Sequence, residues 1–250
     1  MAINVDRVYQ KVLAITNKEQ RGYITPQEFN LFATRAQMEI FEQYFYDVNQ
    51  WSRQPGNSHA YSDILEVLEQ KISHFKIYDA SFAVPNSTGY IDYDNEVVYR
   101  LGEVKVKYPS VLGNNYKMIA ERIKVEDHQL YLDSPLAKQN YKRPIYWQAS
   151  TGGPSVRIRI YPKPTPSDDV LLTYIRRPRD PKWTYIVTSD TQVALYDATG
   201  VGAQNFELEV SEESELVNRI LAYAGITIQK PEITQVAAGL ENNKIQQEKQ

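Results

Sequence analysis

The sequence predicts an α+β protein with an N-terminal helical layer, a central antiparallel β body and C-terminal helices. Three observations predict it. Apolar residues recur at three-and-four spacing as far as about residue 74, at a period of two from about Phe75, and again at helical spacing from Ser211. No long helical stretch separates the strand signals, which argues against a parallel sheet with crossover helices. The expected parts are a helical region over 1–74, a β body over 75–210 and helices with a polar tail over 211–250. At 250 residues, the chain is long enough to carry them as one structural unit.

Val5, Val8, Tyr9, Val12 and Leu13 share one face of a first helix, expected over 4–16. Thr25-Pro26-Gln27-Glu28 then supplies a cap hydroxyl, a proline at the first helical position and a glutamate able to reach back to the cap amide. Behind this start, Phe29, Phe32, Ala33, Ala36, Ile40, Tyr44 and Val48 hold one stripe, so a long helix should run over 26–50. Gln43 falls off that stripe. Ile64, Leu65, Leu68 and Ile72 predict a third helix over 62–72.

From Phe75 onward the pattern alternates. Phe82 with Val84, Val97 to Tyr108, Pro144 to Gln148, Val156 to Tyr161 and Val170 to Ile175 read as strands. Pro85-Asn86, Asp94-Asn95 and Thr151-Gly152-Gly153-Pro154 read as turns between them. Val156, Ile158 and Ile160 should face a core and Arg157 and Arg159 solvent. Ser211-Glu212-Glu213 opens a helix bearing Leu216, Val217, Ile220, Leu221 and Ala224, with its carboxylates against the N-terminal dipole. Gly225 is expected to loosen it. Pro231 begins a last helix, over 231–245, with the short stripe Ile233, Val236, Ala237 and Leu240.

Composition removes several kinds of chemistry. There is no cysteine, so disulfides, thiolate metal sites and cysteine nucleophiles are excluded. A formal charge of −3 gives no global attraction to nucleic acid or an acidic membrane. Asp6, Arg7 and Lys11 interrupt the apolar residues of the first segment, which predicts no secretory signal and maturation in a cytoplasm. No run reaches the length of a membrane helix. The 19 tyrosines against 7 phenylalanines suit both association surfaces and ordinary β-sheet.

The motifs that remain are weak as sites. His59, His74 and His128 lack paired metal-ligand spacing. Asp92, Asp94, Glu96 and Glu103 mimic a calcium loop but place Val97 where that loop needs glycine. Gly200-Val201-Gly202 lacks the third glycine of a dinucleotide site. The chain is therefore expected not to be an enzyme and to need no cofactor or metal. Arg176, Arg177, Arg179 and Lys182 form the densest basic patch, a candidate phosphate contact or a solvated loop between strands.

Three phrases, Arg21-Gly-Tyr-Ile-Thr-Pro-Gln-Glu-Phe-Asn30, Phe41-Glu-Gln-Tyr-Phe45 and Ser214-Glu-Leu-Val-Asn-Arg-Ile-Leu-Ala-Tyr-Ala-Gly225, resemble the head-to-tail connector proteins of tailed bacteriophages. Within that group the chain looks closest to ring or adaptor proteins of short-tailed, crAss-like and marine phages. Pro144-Ile-Tyr-Trp147, Ile160-Tyr-Pro162 and Tyr174-Ile-Arg-Arg-Pro178 are similar to the β-rich body of the same proteins. The resemblance implies a virion protein at the head–tail junction, assembled in the host cytoplasm. It implies a closed ring, commonly of twelve copies, beneath the portal, joined to the next tail or ring protein and continuing the DNA channel.

A ring needs two different patches on each subunit, and the tail stripe Ile233, Val236, Leu240 and Ile245 is the expected assembly interface. The basic patch is the candidate for non-specific contact with genomic DNA. The alternative reading is a β-rich virion module that binds a receptor or glycan.

Overall fold

The computed structural model describes residues 2–17, 24–53, 59–82, 90–113, 116–136, 138–165, 168–187 and 194–227. The expected helix over 231–245, with Ile233, Val236, Leu240 and Ile245, lies outside them, as does the Pro85-Asn86 turn. The chain begins with α1 (Val5–Asn17), α2 (Pro26–Arg53) and α3 (His59–Ser73). Strands β1 (Lys76–Phe82), β2 (Tyr90–Asp94) and β3 (Val98–Lys107) follow, then the short α4 (Pro109–Leu112), β4 (Met118–Ile119), β5 (Glu121–Arg122) and α5 (His128–Asp133). Next come β6 (Ile145–Ser150), β7 (Ser155–Tyr161), β8 (Asp169–Arg176), β9 (Tyr185–Val187) and β10 (Ala194–Tyr196). A 3-10 turn (Val210–Glu212) leads into α6 (Glu213–Thr227). The fold is α+β. It divides into two compact units, Met1–Lys71 with Pro178–Gln250, and Ile72–Arg177.

In the first unit, α2 starts at the expected box. The Thr25 amide and hydroxyl both donate to Glu28 Oε2, at 2.9 and 2.8 Å, and the Glu28 amide donates to Thr25 Oγ1. These bonds hold the Glu28 carboxyl below the usual carboxylate range. Phe29, Ala33, Ala36, Ile40 and Tyr44 of the stripe are buried, with Phe41 beside it, whereas Phe32 and Val48 are half-buried. Leu216, Val217, Ile220, Leu221 and Ala224 of α6 are buried as well. Arg219 of α6 reaches Glu39 and Gln43 of α2, and Tyr223 stacks on Phe32, so α6 runs antiparallel to α2. Gln43 is thus half-buried and bonded, although the apolar pattern leaves it outside the core. The helix continues past Gly225 to Thr227, the last described residue.

Two side-chain amides of α2 organise the extended chain of this unit. Gln37, 1% exposed, donates to the Arg179 carbonyl at 2.7 Å and accepts from the Glu207 amide at 3.0 Å. Asn30, two turns earlier, donates to the Trp183 carbonyl and accepts from the Trp183 amide. A bridge between Lys182 and Gln204 lies between these anchors, and another joins Ile3 to Phe206. Backbone that has no full sheet to pair with is satisfied by helix side chains instead.

The second unit is a β sandwich. One sheet has the order β1-β8-β3-β4 and the other β2-β7-β6-β5. Their facing residues form one core, with Val104, Val106, Val170, Leu172 and Tyr174 from the first sheet and Ile91, Tyr93, Tyr146, Ile158 and Ile160 from the second. The alternation of β7 holds: Ile158 and Ile160 are fully buried, while Arg157 and Arg159 lie on the other face. Thr151 to Pro154 joins β6 to β7 as expected. Asp94-Asn95 makes a turn, but not a hairpin, because β2 and β3 belong to different sheets and the chain crosses between layers there.

The pairing is antiparallel except for β5 with β6, where two residues pair in parallel. Beside the central strand β8, both neighbours bulge at the same level. The register slips between Ile77 and Ala80 on β1 and between Leu101 and Val104 on β3, so both shifts lie opposite Thr173. Asp79 in the first bulge has φ +49°, a conformation costly for most side chains. Its carboxylate bonds Lys105 at 3.0 Å and Lys117 at 2.7 Å, which holds its pKa below the usual range.

Candidate functional site

The first unit carries two apolar surfaces of opposite shape. One is a groove of about 390 Å³ between α2 and α3, closed at one side by the 3-10 turn and the start of α6. Its apolar wall is Ile40, Tyr44 and Trp51 of α2 with Ile64, Val67 and Leu68 of α3. The α2 stripe is wider than α6 alone can cover, so its C-terminal half faces α3 across this space. Val67 is 50% exposed.

Charges sit at the groove's edge. Lys71 Nζ lies 2.5 Å from Glu212 Oε1 and 5.4 Å from the centre of the Tyr44 ring. Glu215 pairs with Arg219 at 2.6 Å, and Glu213 with Lys11 and Arg7. Glu212, Glu213 and Glu215 are all buried. The sequence places these acids correctly at a helix start, and the structure gives each a cation as well. Burial, reinforced by Glu212 and Glu215, pushes the Tyr44 hydroxyl's pKa far up, so it stays protonated.

The other surface is the hairpin of β9 and β10. Trp183, 2% exposed, anchors its base: its indole N–H donates to Asp6 at 2.9 Å, and its ring lies against Tyr9. Tyr185 and Tyr196, paired across the hairpin, both stack on Trp183. Strand alternation then turns Ile186 and its partner Leu195 to the opposite face, where they are 60% and 56% exposed. Neither the groove nor the hairpin is marked by a sequence motif. The only signals are the width of the α2 stripe and the apolar run Tyr185-Ile186-Val187.

The sandwich unit presents a different surface. On the outer face of its second sheet, Trp147, Arg159 and Tyr90 stand directly opposite one another on three adjacent strands. The Arg159 guanidinium lies 5.4 Å from the Trp147 ring centre. One row along, Arg157 lies over Tyr90 at 3.9 Å and makes a two-point contact with Asp92. His128 of α5 packs on Tyr161 and Trp147.

The acids that imitate a calcium loop are dispersed. Asp92 pairs with Arg157, Asp94 accepts the Glu96 amide at a turn, and Glu103 pairs with Lys105 in the other sheet. Among the described residues no group of three or more His, Asp or Glu is placed to hold a metal ion.

The four residues of the basic patch are divided between the two units. Arg176, half-buried against the Phe75 ring, and the exposed Arg177 close β8 of the sandwich. Arg179 and Lys182, both exposed, lie on the strap held by Gln37 and Asn30. No described helix is long and apolar enough to cross a membrane. The chain matches no family model, and no curated protein matches it significantly.

Proposed function

We propose that this chain is a non-catalytic virion subunit that closes into a ring between the portal and the tail of a tailed phage, continuing the DNA channel. Its partners on this reading are its own copies, the portal and the next tail or ring protein. The observation that carries the proposal is the pair of apolar surfaces on one unit, the exposed Ile186 and Leu195 face of the β9–β10 hairpin and the groove between α2 and α3, added to the connector-like phrases of the sequence. Surfaces of this kind serve association better than they serve a soluble monomer. Arg176, Arg177, Arg179 and Lys182 are the proposed points of non-specific contact with genomic DNA. Light scattering and electron microscopy of the purified chain, with immunogold labelling of virions, test the reading. A ring with a central hole and label at the head–tail junction support it, and label at a distal tail tip overturns it.

The row Trp147, Arg159 and Tyr90 favours the second reading, a receptor- or glycan-binding module, because aromatic faces flanked by a guanidinium suit sugar rings. Titration of host-surface glycans against tryptophan fluorescence separates the two. Saturable quenching that Trp147→Ala abolishes supports the module.

A further inference from the structure

We infer that copies of this chain join head to tail, the Ile186–Leu195 face of the β9–β10 hairpin in one copy seated in the α2–α3 groove of the next. This rests on the ring reading and deepens it by assigning the two faces. A two-stranded ribbon is marginal by itself, and here one face is held by Trp183 while the other leaves two aliphatic side chains in water. Directly opposed residues on a hairpin form one contiguous knob. The groove offers an aliphatic and aromatic wall of matching character, with about 390 Å³ of space.

The two surfaces cannot meet within one chain. The hairpin is rooted at Asn30, and Tyr44 of the groove lies fourteen residues further along α2, a separation of about 21 Å at 1.5 Å per residue. Ile186 stands three residues from Trp183 and so lies within about 10 Å of that root. A knob and a separate hole on the same unit make the arrangement that propagates from copy to copy and closes when the rotation permits.

Charge does not oppose the docking, because Glu212 and Glu215 are paired with Lys71 and Arg219. Asp47, Glu212 and Glu215 line the groove against Lys71. The strands Tyr185–Val187 and Ala194–Tyr196 carry no charge, and the exposed Arg179 and Lys182 before them offset Asp180. Asp197, just after the hairpin, is turned onto its own loop, accepting from the Thr199 amide and hydroxyl.

Two single variants test the pairing, each at an exposed position where the fold should tolerate a charge: Ile186→Asp on the knob and Val67→Asp in the groove. Both should keep the wild-type melting transition and lose self-assembly by light scattering. Mixed together they should form a one-to-one heterodimer and stop, because only one intact knob and one intact groove remain. The chain has no cysteine, so Val67→Cys combined with Leu195→Cys gives a second readout: oxidation should yield a ladder of disulfide-linked multimers that neither single variant gives. A wild type that assembles together with variants that assemble equally well, and no ladder, overturns the pairing and leaves the ring reading standing. A wild type that stays monomeric, both free and when recovered from particles, overturns both.

Discussion

Asn30 of α2 occupies both backbone hydrogen-bonding groups of Trp183, accepting from its amide at 2.8 Å and donating to its carbonyl at 3.2 Å. A carboxamide here does what a neighbouring strand residue would do in a sheet, and it fixes the root of the hairpin to the helix. Asn30→Ala leaves two peptide groups without partners in a part-buried setting. The expected cost is about 2 kcal/mol in urea melts, with a red shift of tryptophan emission. Asn30→Asp, which keeps the acceptor and loses the donor, should fall between the two. A loss in Asn30→Ala no larger than that of an exposed surface substitution would show that the clamp is dispensable.

On α2 the apolar stripe and the observed core agree at Ile40, so Ile40→Ala should cost on the order of 2–5 kcal/mol. Gln43 differs from the sequence expectation, under which its truncation would be nearly silent. It accepts from the guanidinium of Arg219, which is 7% exposed, and Gln43→Ala should cost about 1–2 kcal/mol. Chemical denaturation of the two variants side by side checks both values.

The contrast at Gln43 shows which parts of this fold are legible in its sequence. Helix faces and strand alternation are written in the spacing of apolar residues, so α1, α2, α3, α6 and β7 lie where periodicity puts them. The Thr25–Glu28 box is legible because both partners are three residues apart. Gln37 and Asn30 are not, because a buried amide resembles a surface one until its partner, over 140 residues away, is known. The crossing of the chain from β2 to β3 is hidden for the same reason: a turn signal at Asp94 fixes the local bend and not the sheet that the next strand joins. The groove and the hairpin are least legible of all, since exposure of an apolar side chain is a property of the packed chain.

The paired bulges around Thr173 give a pH-dependent prediction. Asp79 sits at φ +49° and bonds both Lys105 and Lys117. Its pKa is lowered in the folded state, chiefly by those bonds, so its contribution to stability is present above the unfolded value, near ~4, and is lost as pH falls through the lower folded value. Asp79→Asn, which tolerates the left-handed conformation, should flatten that acid limb while leaving the backbone intact. Asp79→Ala should be less stable than Asp79→Asn at every pH, because it adds strain to the lost contacts. Thermal melts from pH 3 to 7 check the order. Across the same level, Gly102→Ala places a Cβ 2.9 Å from the Thr173 carbonyl and should cost about 1–3 kcal/mol.

Lys71 and Glu212 pose the question of what the ion pair at the groove's edge contributes. The Glu212 side chain is 5% exposed and that of Lys71 18%, so both give up most of their hydration and regain it only through each other and their neighbours. Removing Lys71 alone leaves the carboxylate buried without its nearest cation, and Lys71→Met should cost about 3 kcal/mol. Replacing both, as Lys71→Met with Glu212→Leu, should recover most of that loss, because the desolvation of the pair nearly cancels its attraction. A double-mutant cycle in denaturant melts measures the difference. The same double variant makes the groove more apolar. If the pair tunes the groove's selectivity rather than its stability, the double variant should fold as well as the wild type and yet fail to form the proposed ring with a defined size. Recovered stability with unaltered assembly would show that Lys71 and Glu212 only solve a local burial problem, and a double variant as unstable as Lys71→Met would show that Glu212 has a structural role beyond the pair.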